Sequence, residues 1–438
     1  MSTRESWAWW APWAIPVTEP PVRDALVTVR NGRIASIEGG ISSEDAVTQG
    51  AECFPGCVLA PGFVNAHCHL EYAAYDGLVD GLSFTDWIGD HIRRKHRLNA
   101  DQMLASAELG VQQALAHGIT TVGDASFSGH AAQAMVAAGL RGRVYLEVFG
   151  AADEEQALAT CLERLADLPS SELVEHGISP HAPYTVSERL YRLVADTGLP
   201  WMTHLFESRD ELEFLRDSSG PLSVPFRERG MPLAVWERPP IQALADVLGP
   251  HVVAVHLVHP TPADLEVVAQ TQTAVAHCPR SNARLGCGRM DLESCERAGV
   301  QVGLGTDSPS SAGAIDMFAE MRSALEQHRS ATSDATRPST QRLLEMATVD
   351  AARALGYTDL GSLTPGAHAD LVACTVPETT DPVTAYVLTG SAAGMRSVAI
   401  GGTIVWRHDR NALPAAIARA AETRQLLALP TPHPAGQR

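Results

Sequence analysis

Short apolar runs and amphipathic stretches alternate along most of the chain. Each apolar run is followed by a turn and then by a segment such as ADQMLASAELGVQQALAHG, in which apolar residues recur every three or four positions. That spacing predicts a helix with one buried face. Several helical segments end in glycine, and Thr261 with Pro262 is a typical helix start. The apolar runs, each predicted to be a strand, are VLAPGFVNAHCH, ITTVGDAS, RGRVYLEVFG, HGISPHAP, PWMTHLFES, HVVAVHLVH, TAVAHCPRS and VQVGLGTDSP.

The number and order of these elements predict the fold class. Eight strands alternating with helices between residues 58 and 355 indicate an α/β protein built around a closed (β/α)8 TIM-like barrel. An open doubly wound sheet is the alternative, but no glycine-rich dinucleotide fingerprint follows the first strand. We therefore expect residues 58–355 to form a barrel.

The two ends of the chain follow a different pattern. DALVTVRNGRIASIEGG before the barrel, and HADLVACTV and VLTGSAAGMRSVAIGGTIVW after it, predict short strands joined by Gly and Asn-Gly turns. Neither end is long enough to form a core alone. We expect residues 1–57 and 356–438 to pair as a small β-sandwich domain, with LPAAIARAAETRQLLAL as a helical tail.

Composition limits the possible partners. The chain has 33 Lys and Arg against 51 Asp and Glu, a formal net charge of −18. Nucleic acid and anionic membranes require a basic surface, so neither is expected to be a main partner. Eight cysteines in 438 residues are too few for a disulfide scaffold. No apolar run approaches the roughly 20 residues needed to cross a bilayer. These features favour a cytoplasmic protein with reduced thiols.

Polar residues of unusual type stand at the ends of the predicted strands. Active-site residues of a (β/α)8 barrel lie at the carboxyl ends of its strands. In GFVNAHCHLEY, His67 and His69 are two positions apart, so in an extended strand they point to the same side. The strand-end set is His67, His69, His181, His204, His256 and Asp307.

Three imidazoles and one carboxylate with an open position for water suit a catalytic divalent metal ion. From the ends of strands 1, 5 and 8 we predict His67, His69, His204 and Asp307 as its ligands. One ion per chain is expected, with Zn²⁺ favoured over Fe²⁺. A second ion would need a bridging carboxylate or a carbamylated lysine. Strand 4 has no lysine, and Glu147 in VYLEVF is expected to face the helices or to make a structural contact.

Glu207 is the candidate proton carrier. It follows His204 by three residues in THLFES, just beyond a strand end, where a carboxylate can transfer protons between water and substrate. The alternative is a solvated glutamate at a helix start, because ESRDELE is rich in acids as helix N-termini often are. We favour the catalytic role.

As a set, these motifs resemble the amidohydrolase superfamily, in its branch of nucleobase and nucleoside deaminases and triazine chlorohydrolases. The resemblance covers roughly residues 20–407 and is carried by PGFVNAHCH, HAPYTVS, THLFES, AVHLVH, HCPRSNARLGCG and GLGTDSPSS, with VRNGRIASI and GSLTPGAHADLV at the flanks. It implies that His67, His69, His204 and Asp307 hold the metal, that Glu207 is the proton shuttle, that His256 orients water and leaving group, and that His181 contacts the substrate.

HLEY, GLSFTDWI and LRGRVYLEVFG are most similar to the aminodeoxyfutalosine deaminases of the futalosine route to menaquinone. The resemblance thus implies hydrolysis of 6-amino-6-deoxyfutalosine to futalosine and ammonia, with a nucleoside-like substrate and water as the partners and a homodimer as a possible assembly. The alternatives are deamination of methylthioadenosine, S-adenosylhomocysteine or adenosine, and hydrolysis of a triazine ring substituent. A non-enzymatic barrel should have lost a ligand or the acid, and all are present.

Substrate contacts beyond the strand ends are predicted at four positions. Methylthioadenosine and adenosylhomocysteine deaminases of this branch bind the ribose hydroxyls with a glutamate shortly after SF..W. Counting from LSFTDW, the matching position falls at or near His96, next to Trp87 of the motif. A substrate carboxylate needs a local cation in so acidic a protein. The candidates are Arg93, Arg94, Arg280 and Arg284, of which we predict Arg280 and Arg284 as contacts.

Overall fold

The computed structural model describes residues 6–228, 230 and 232–430. The extremities of the predicted flanking segments, residues 1–5 and 431–438, lie outside the described residues. The strands in the described part are β1 (Ser6–Ala14), β2 (Val22–Arg30), β3 (Arg33–Glu38), β4 (Glu52–Cys53), β5 (Cys57–Pro61), β6 (Phe63–Cys68), β7 (Ile119–Ser126), β8 (Arg141–Val148), β9 (Val174–Pro180), β10 (Trp201–Leu205), β11 (Val252–His256), β12 (Ala274–His277), β13 (Val302–Leu304), β14 (Leu371–Thr375), β15 (Met395–Ile400) and β16 (Thr403–Arg407).

Helices occupy the connections between the strands and the region after β13. They are α1 (Ser43–Thr48), α2 (Phe84–Lys95), α3 (Ala100–Ala116), α4 (His130–Ala138), α5 (Glu154–Ala166), α6 (Glu188–Asp196), α7 (Arg209–Asp217), α8 (Ser223–Glu228), α9 (Pro240–Ala243), α10 (Pro262–Gln270), α11 (Pro279–Arg284), α12 (Leu292–Ala298), α13 (Pro309–Ala312), α14 (Met317–Thr332), α15 (Thr340–Met346), α16 (Val349–Ala354), α17 (Pro382–Thr389) and α18 (Leu413–Ala428), with short 3-10 turns at Leu70–Tyr75, Ala392–Gly394 and His408–Arg410.

Strands β6 to β13 form one parallel sheet in sequential order. The last strand returns to the first, where the backbone N–H groups of Thr306 and Asp307 donate to the carbonyl of His67 at 2.9 and 3.0 Å. The side chain of Asn65 accepts from Thr306 N at 3.0 Å beside this contact. Each predicted apolar run overlaps one of these strands, so the predicted (β/α)8 barrel is confirmed.

A second, mixed sheet is built from both ends of the chain, as predicted. Its strand order is β16-β15-β14-β5-β1-β2-β3, with β4 beside β1. Strand β5 belongs to this sheet, so the chain enters the barrel at Gly62 and not at residue 58. A Cβ at Gly62 would lie 2.1 Å from the Thr120 side chain, which explains the glycine at this junction. The buried strands β5 and β6 are both apolar although they belong to different sheets. The sequence pattern therefore does not show where the second sheet ends and the barrel begins.

The barrel interior is a packed core below the site. Tyr145, Met202, Val253 and Val255 are buried there together with small residues of the neighbouring strands. The polar side chains of the site lie above this apolar layer, at the carboxyl ends of the strands. That layer separates the functional end of the barrel from its base.

The remaining elements follow their sequence signals. Thr261 caps α10 and Pro262 is its first residue, as the sequence predicts. The predicted tail helix α18 packs on α3, where Ala416 and Ala420 meet Leu109. All eight cysteines are free thiols. Among the described residues, none of the helices combines the length and the apolar character needed to cross a membrane.

Candidate active site

Four side chains from three barrel strands and one strand-end loop converge at the carboxyl end of the barrel. His67, His204, His256 and Asp307 are buried, and one ligand-competent atom of each lies within 4.8 Å of those of the others. His67 Nε2 has no hydrogen-bond partner among the described residues and lies 3.3 Å from Asp307 Oδ1. A neutral imidazole lone pair and a carboxylate facing each other in a buried place fit a shared cation between them.

Hydrogen bonds fix the orientation of two of these imidazoles. His204 Nδ1 donates to the carbonyl of His181 at 2.8 Å, and His256 Nδ1 donates to Asn282 Oδ1 at 2.9 Å. Each ring then presents an unprotonated Nε2 to the cluster, as a metal ligand must. Burial lowers the pKa of His256 to about 4, and it also lowers that of His204. Both rings are therefore neutral at pH 7.

His69 lies beside this group. Its Nε2 atom is 3.4 Å from Asp307 Oδ1, and its ring stacks on that of His204 with centroids 5.5 Å apart. The structure thus brings the four predicted ligands together. The four residues whose ligand atoms all lie within 4.8 Å of one another nevertheless include His256 in place of His69.

Asp307 is held by two hydroxyl donors. Ser281 Oγ and Ser311 Oγ donate to Oδ2 at 2.5 and 2.8 Å, which leaves Oδ1 to face the histidines. Burial alone would raise the pKa of Asp307, but His67 and His256 hold it well below its usual value. Asp307 has a φ of +55°, and His256 has a φ of +72°. Non-glycine residues at positive φ cost energy and cluster at functional sites.

Glu207 follows β10 and points into the same space. The residue is 5% exposed, and its Oε2 atom lies 3.5 Å from His256 Nε2. Burial, together with the nearby carboxylates of Asp307 and Glu211, raises the pKa of Glu207 well above its usual value. A carboxyl group with a raised pKa keeps its proton at higher pH and can donate it to a bound substrate.

Glu211, which the sequence analysis missed, positions Glu207. It is fully buried, and its carboxylate accepts from the backbone N–H groups of Phe206 and Glu207 at 3.1 and 2.7 Å. Phe206 has a φ of +51°, so this turn depends on such support. The acid-rich ESRDELE segment gave no sign of it, because surface acids at a helix start have the same pattern.

Replacing Glu211 by Gln should lower kcat roughly 10-fold and leave metal content unchanged. An amide keeps the volume but replaces one acceptor oxygen by a donor, which then faces a backbone N–H at a cost of about 1–3 kcal/mol. Steady-state kinetics with elemental analysis checks this, with the half-buried Glu213→Gln on the same helix as the control. A kcat within twofold of wild type would show that Glu211 does not position Glu207.

A cavity of about 520 Å³ opens above the cluster. Three predicted substrate contacts, His181, Trp87 and His96, line it. His181 Nδ1 is 2.8 Å from Thr185 Oγ1, and Trp87 Nε1 donates to the Ser310 carbonyl at 3.2 Å. Hydrogen bonds therefore hold both rings in place. His96 is exposed at the rim.

The predicted arginine contacts do not lie in the cavity lining. Arg280 donates to the carbonyl of Ala314 at 3.0 Å and lies 3.4 Å from buried Glu320. Arg284 donates to the carbonyl of Val79 at 3.1 Å. Both start from α11, which directs them to structural acceptors beside the barrel. Arg93 and Arg94 pair with Asp90 on their own helix.

Among the described residues, Lys95 is the lysine or arginine that lines the cavity. Its Nζ atom lies 3.5 Å from the Phe127 ring centroid and 5.9 Å from that of Phe149. The sequence could have indicated Lys95, because Trp87, His91 and Lys95 are spaced four residues apart and so lie on one face of α2. All three line the cavity.

Glu147 also lines the cavity, contrary to the expectation that it faces the helices. It is 5% exposed. Tyr145 lies in the barrel interior, and residues two apart on a strand share a side. The two-residue alternation along β8 could have placed Glu147 inside.

The chain is similar to known proteins over most of its length. The model of the amidohydrolase family matches residues 58–405. A 5′-deoxyadenosine deaminase from Methanothermobacter thermautotrophicus is 30% identical over 90% of this chain and 93% of its own length. A 5-methylthioadenosine/S-adenosylhomocysteine deaminase from Symbiobacterium thermophilum is 32% identical over 72% of each chain. An aminodeoxyfutalosine deaminase from Deinococcus radiodurans is 36% identical over 62% of this chain and 68% of its own.

The fold also matches solved structures. An adenosine deaminase from Xanthomonas campestris with bound zinc superposes with a TM-score of 0.80, at 24% identity, over 96% of this chain and 98% of the other. That match concerns the arrangement of the barrel and the second sheet.

Proposed function

This chain belongs to the amidohydrolase family of metal-dependent hydrolases, and on that premise we propose that it deaminates the purine ring of an adenosine-type nucleoside. One observation carries the proposal. A buried acid, Glu207, faces a buried cluster of histidines and Asp307 at the closed end of a cavity of about 520 Å³. Ammonia release from nucleosides, together with the change in purine ultraviolet absorbance, tests it.

His67, His69, His204 and Asp307 are the proposed ligands of one divalent ion, zinc in preference to iron. The unpartnered Nε2 of His67 and the neutral Nε2 atoms of the other rings fit such an ion. When bound, a divalent ion acts as a Lewis acid that makes water a nucleophile near neutral pH. Ser281 and Ser311 hold the carboxylate of Asp307 in place for this role.

Protons move through the side chains of the chain itself. Glu207 donates its proton to the ring nitrogen next to the carbon that carries the amino group, which makes that carbon electrophilic. His256 and Asp307 orient the attacking water and accept its proton. A C–O bond forms, the C–N bond breaks, and the amino group leaves as ammonia with the proton that His256 and Asp307 took from the water. The new hydroxyl group returns a proton to Glu207. Such acid–base help contributes roughly 10²–10⁴-fold to the rate.

The proposed substrate is 6-amino-6-deoxyfutalosine, whose deamination gives futalosine in menaquinone biosynthesis. The relative from Deinococcus radiodurans supports it, and so does a cation in the cavity. This nucleoside carries a carboxylate on its aryl arm, whereas methylthioadenosine is neutral. In a chain of net charge −18 the carboxylate needs a local partner, and Lys95 is the proposed one.

Deamination of methylthioadenosine, S-adenosylhomocysteine or 5′-deoxyadenosine is the second candidate. The relatives from Methanothermobacter and Symbiobacterium favour it, and they match a larger share of this chain. A triazine hydrolase would use the same chemistry in a differently shaped cavity. The cytoplasmic location and the homodimer stay predictions.

Replacing Lys95 by Met should raise KM for aminodeoxyfutalosine roughly 10- to 100-fold, because a hydrogen bond to a charged group contributes about 1.5–3 kcal/mol. KM for adenosine should change little, since adenosine has no carboxylate. Steady-state ammonia release with both substrates measures the effect. Arg284→Met is the matched control, because it removes a cation that lies outside the cavity. Equal losses on both substrates would contradict the assignment of Lys95.

A further inference from the structure

A methionine of the barrel core contacts one of the proposed metal ligands. Met202 of β10 lies two residues before His204, so both side chains point into the barrel, with Met202 in the apolar layer under the site. Its Sδ atom is 3.0 Å from Nδ1 of His67, and both side chains are buried, at 0% exposure. The sulfur atom thus meets the outer nitrogen of a ring whose other nitrogen faces Asp307.

The contact between Met202 and His67 has one chemically favourable arrangement of hydrogens. A thioether sulfur carries no hydrogen and can only accept, so Nδ1 of His67 must be the donor. A neutral imidazole has a single N–H, which leaves Nε2 with a lone pair. That lone pair lies on the side of Asp307, 3.3 Å from its Oδ1 atom. This is the tautomer that a histidine needs to bind a cation through Nε2.

The acceptor at His67 differs in kind from those at two neighbouring imidazoles. His204 and His256 donate from Nδ1 to oxygen atoms, at 2.8 and 2.9 Å. Among the described residues, Nδ1 of His67 has the sulfur of Met202 as its partner. Metal-bound histidines usually donate this proton to a carboxylate, a carbonyl or water, which fixes the ring. The thioether takes that place at His67.

Packing holds the sulfur atom where His67 can reach it. The terminal methyl group of Met202 lies close to Gly123 of β7, where an added Cβ atom would be 3.2 Å from it. Tyr145 and Val253 belong to the same buried layer. Methionine is a flexible side chain, and enclosure on several sides restricts its rotamers. The side chain of Met202 can therefore fix the orientation of the His67 ring.

We propose that Met202 positions His67 for metal binding, by accepting the hydrogen of Nδ1 and so directing the lone pair of Nε2 toward Asp307. This role requires the sulfur atom as an acceptor, whereas filling the barrel core requires only the volume of the side chain. Met202 acts through His67 and is a positioning residue. The inference rests on the proposed ligand role of His67 and is independent of the substrate.

Two substitutions separate the acceptor from the volume. Met202→Leu conserves the volume and the apolar character but removes the acceptor, so the melting temperature of the metal-free protein should change little. It should raise the dissociation constant for Zn²⁺ roughly 10-fold, the lower end of the usual loss, because a thioether is a weak acceptor. Met202→Gln brings an amide oxygen to Nδ1 and should keep that constant within about threefold of wild type. Its unpaired amide hydrogens should lower the melting temperature.

Chelator competition measures zinc affinity, and calorimetry of the metal-free protein measures the melting temperature. The matched control is Met135→Leu, which alters a buried methionine of α4 in a different part of the core. It should leave zinc affinity within about twofold of wild type. If the glutamine variant does not fold, the comparison of the two leucine variants decides.

The outcomes distinguish this inference from the proposed activity. Unchanged zinc affinity in Met202→Leu, or weaker binding by Met202→Gln than by Met202→Leu, would overturn the role of Met202. Wild-type protein that binds no zinc would overturn it together with the ligand set. If zinc binds with the expected order of affinities but no nucleoside releases ammonia, the deaminase proposal fails and the role of Met202 stands.

Discussion

Glu207→Gln is expected to lower kcat by roughly 10²- to 10⁴-fold, the usual contribution of a positioned acid or base. The amide keeps the shape of the side chain but cannot give up a proton to the ring nitrogen. The effect should fall on kcat more than on KM, because the lost interaction forms only in the transition state. Steady-state and single-turnover kinetics on the same nucleoside measure it.

Metal content provides the control for this result. Glu207 is not a proposed ligand, so the glutamine variant should bind as much metal as wild type and unfold at the same temperature. The Glu213→Gln variant of α7 should keep full activity. Activity within about tenfold of wild type in Glu207→Gln would leave Glu207 as a helix-start residue and place the proton carrier elsewhere.

His204→Ala is expected to abolish both metal binding and activity. Removing one of four ligands leaves an incomplete coordination shell, and the imidazole is already oriented toward the cluster by its bond to the His181 carbonyl. Elemental analysis of purified protein should give about one zinc or iron per wild-type chain and close to none in the variant.

A surface histidine provides the matched control for that loss. His176 lies in β9 with its ring bonded to the Pro169 carbonyl, away from the cluster, so His176→Ala should retain both metal and activity. Two ions per chain at full occupancy would contradict the single-metal proposal. Full metal content in His204→Ala would remove His204 from the ligand set.

The barrel and the position of its site were predictable because both depend on the regular spacing of apolar residues along the sequence. An alternating strand places His67 and His69 on one side, and strand ends in a barrel meet at one face. The same alternation places Glu147 on the side of Tyr145, inside the barrel, so the predicted orientation of Glu147 toward the helices was wrong.

Side-chain direction beyond the strand ends was less accessible. The position predicted from the LSFTDW motif is His96, which lies at the rim of the cavity. The neighbouring Lys95 points into the cavity. Neighbouring helix residues differ by about 100° in direction, so an error of one position changes the environment completely. Arg280 contacts the buried Glu320 and not the cavity because of the way α11 packs on α14. A local sequence pattern does not predict such packing.

The backbone conformation at the site could not be predicted from the sequence either. His256 and Asp307 adopt positive φ, which non-glycine residues rarely do and which tertiary contacts must enforce. Glu211 supports a similar turn from inside. Such conformations oppose local preference, so sequence patterns predict them poorly.

The most direct measurement is ammonia release by wild-type protein with one metal ion per chain, compared across 6-amino-6-deoxyfutalosine, methylthioadenosine, S-adenosylhomocysteine and adenosine. We expect deamination of adenosine-type nucleosides, with kcat/KM for aminodeoxyfutalosine exceeding that for methylthioadenosine by roughly 10- to 100-fold through the contact with Lys95. A preference for methylthioadenosine would contradict the substrate, and no ammonia from any of the four would contradict the deaminase itself.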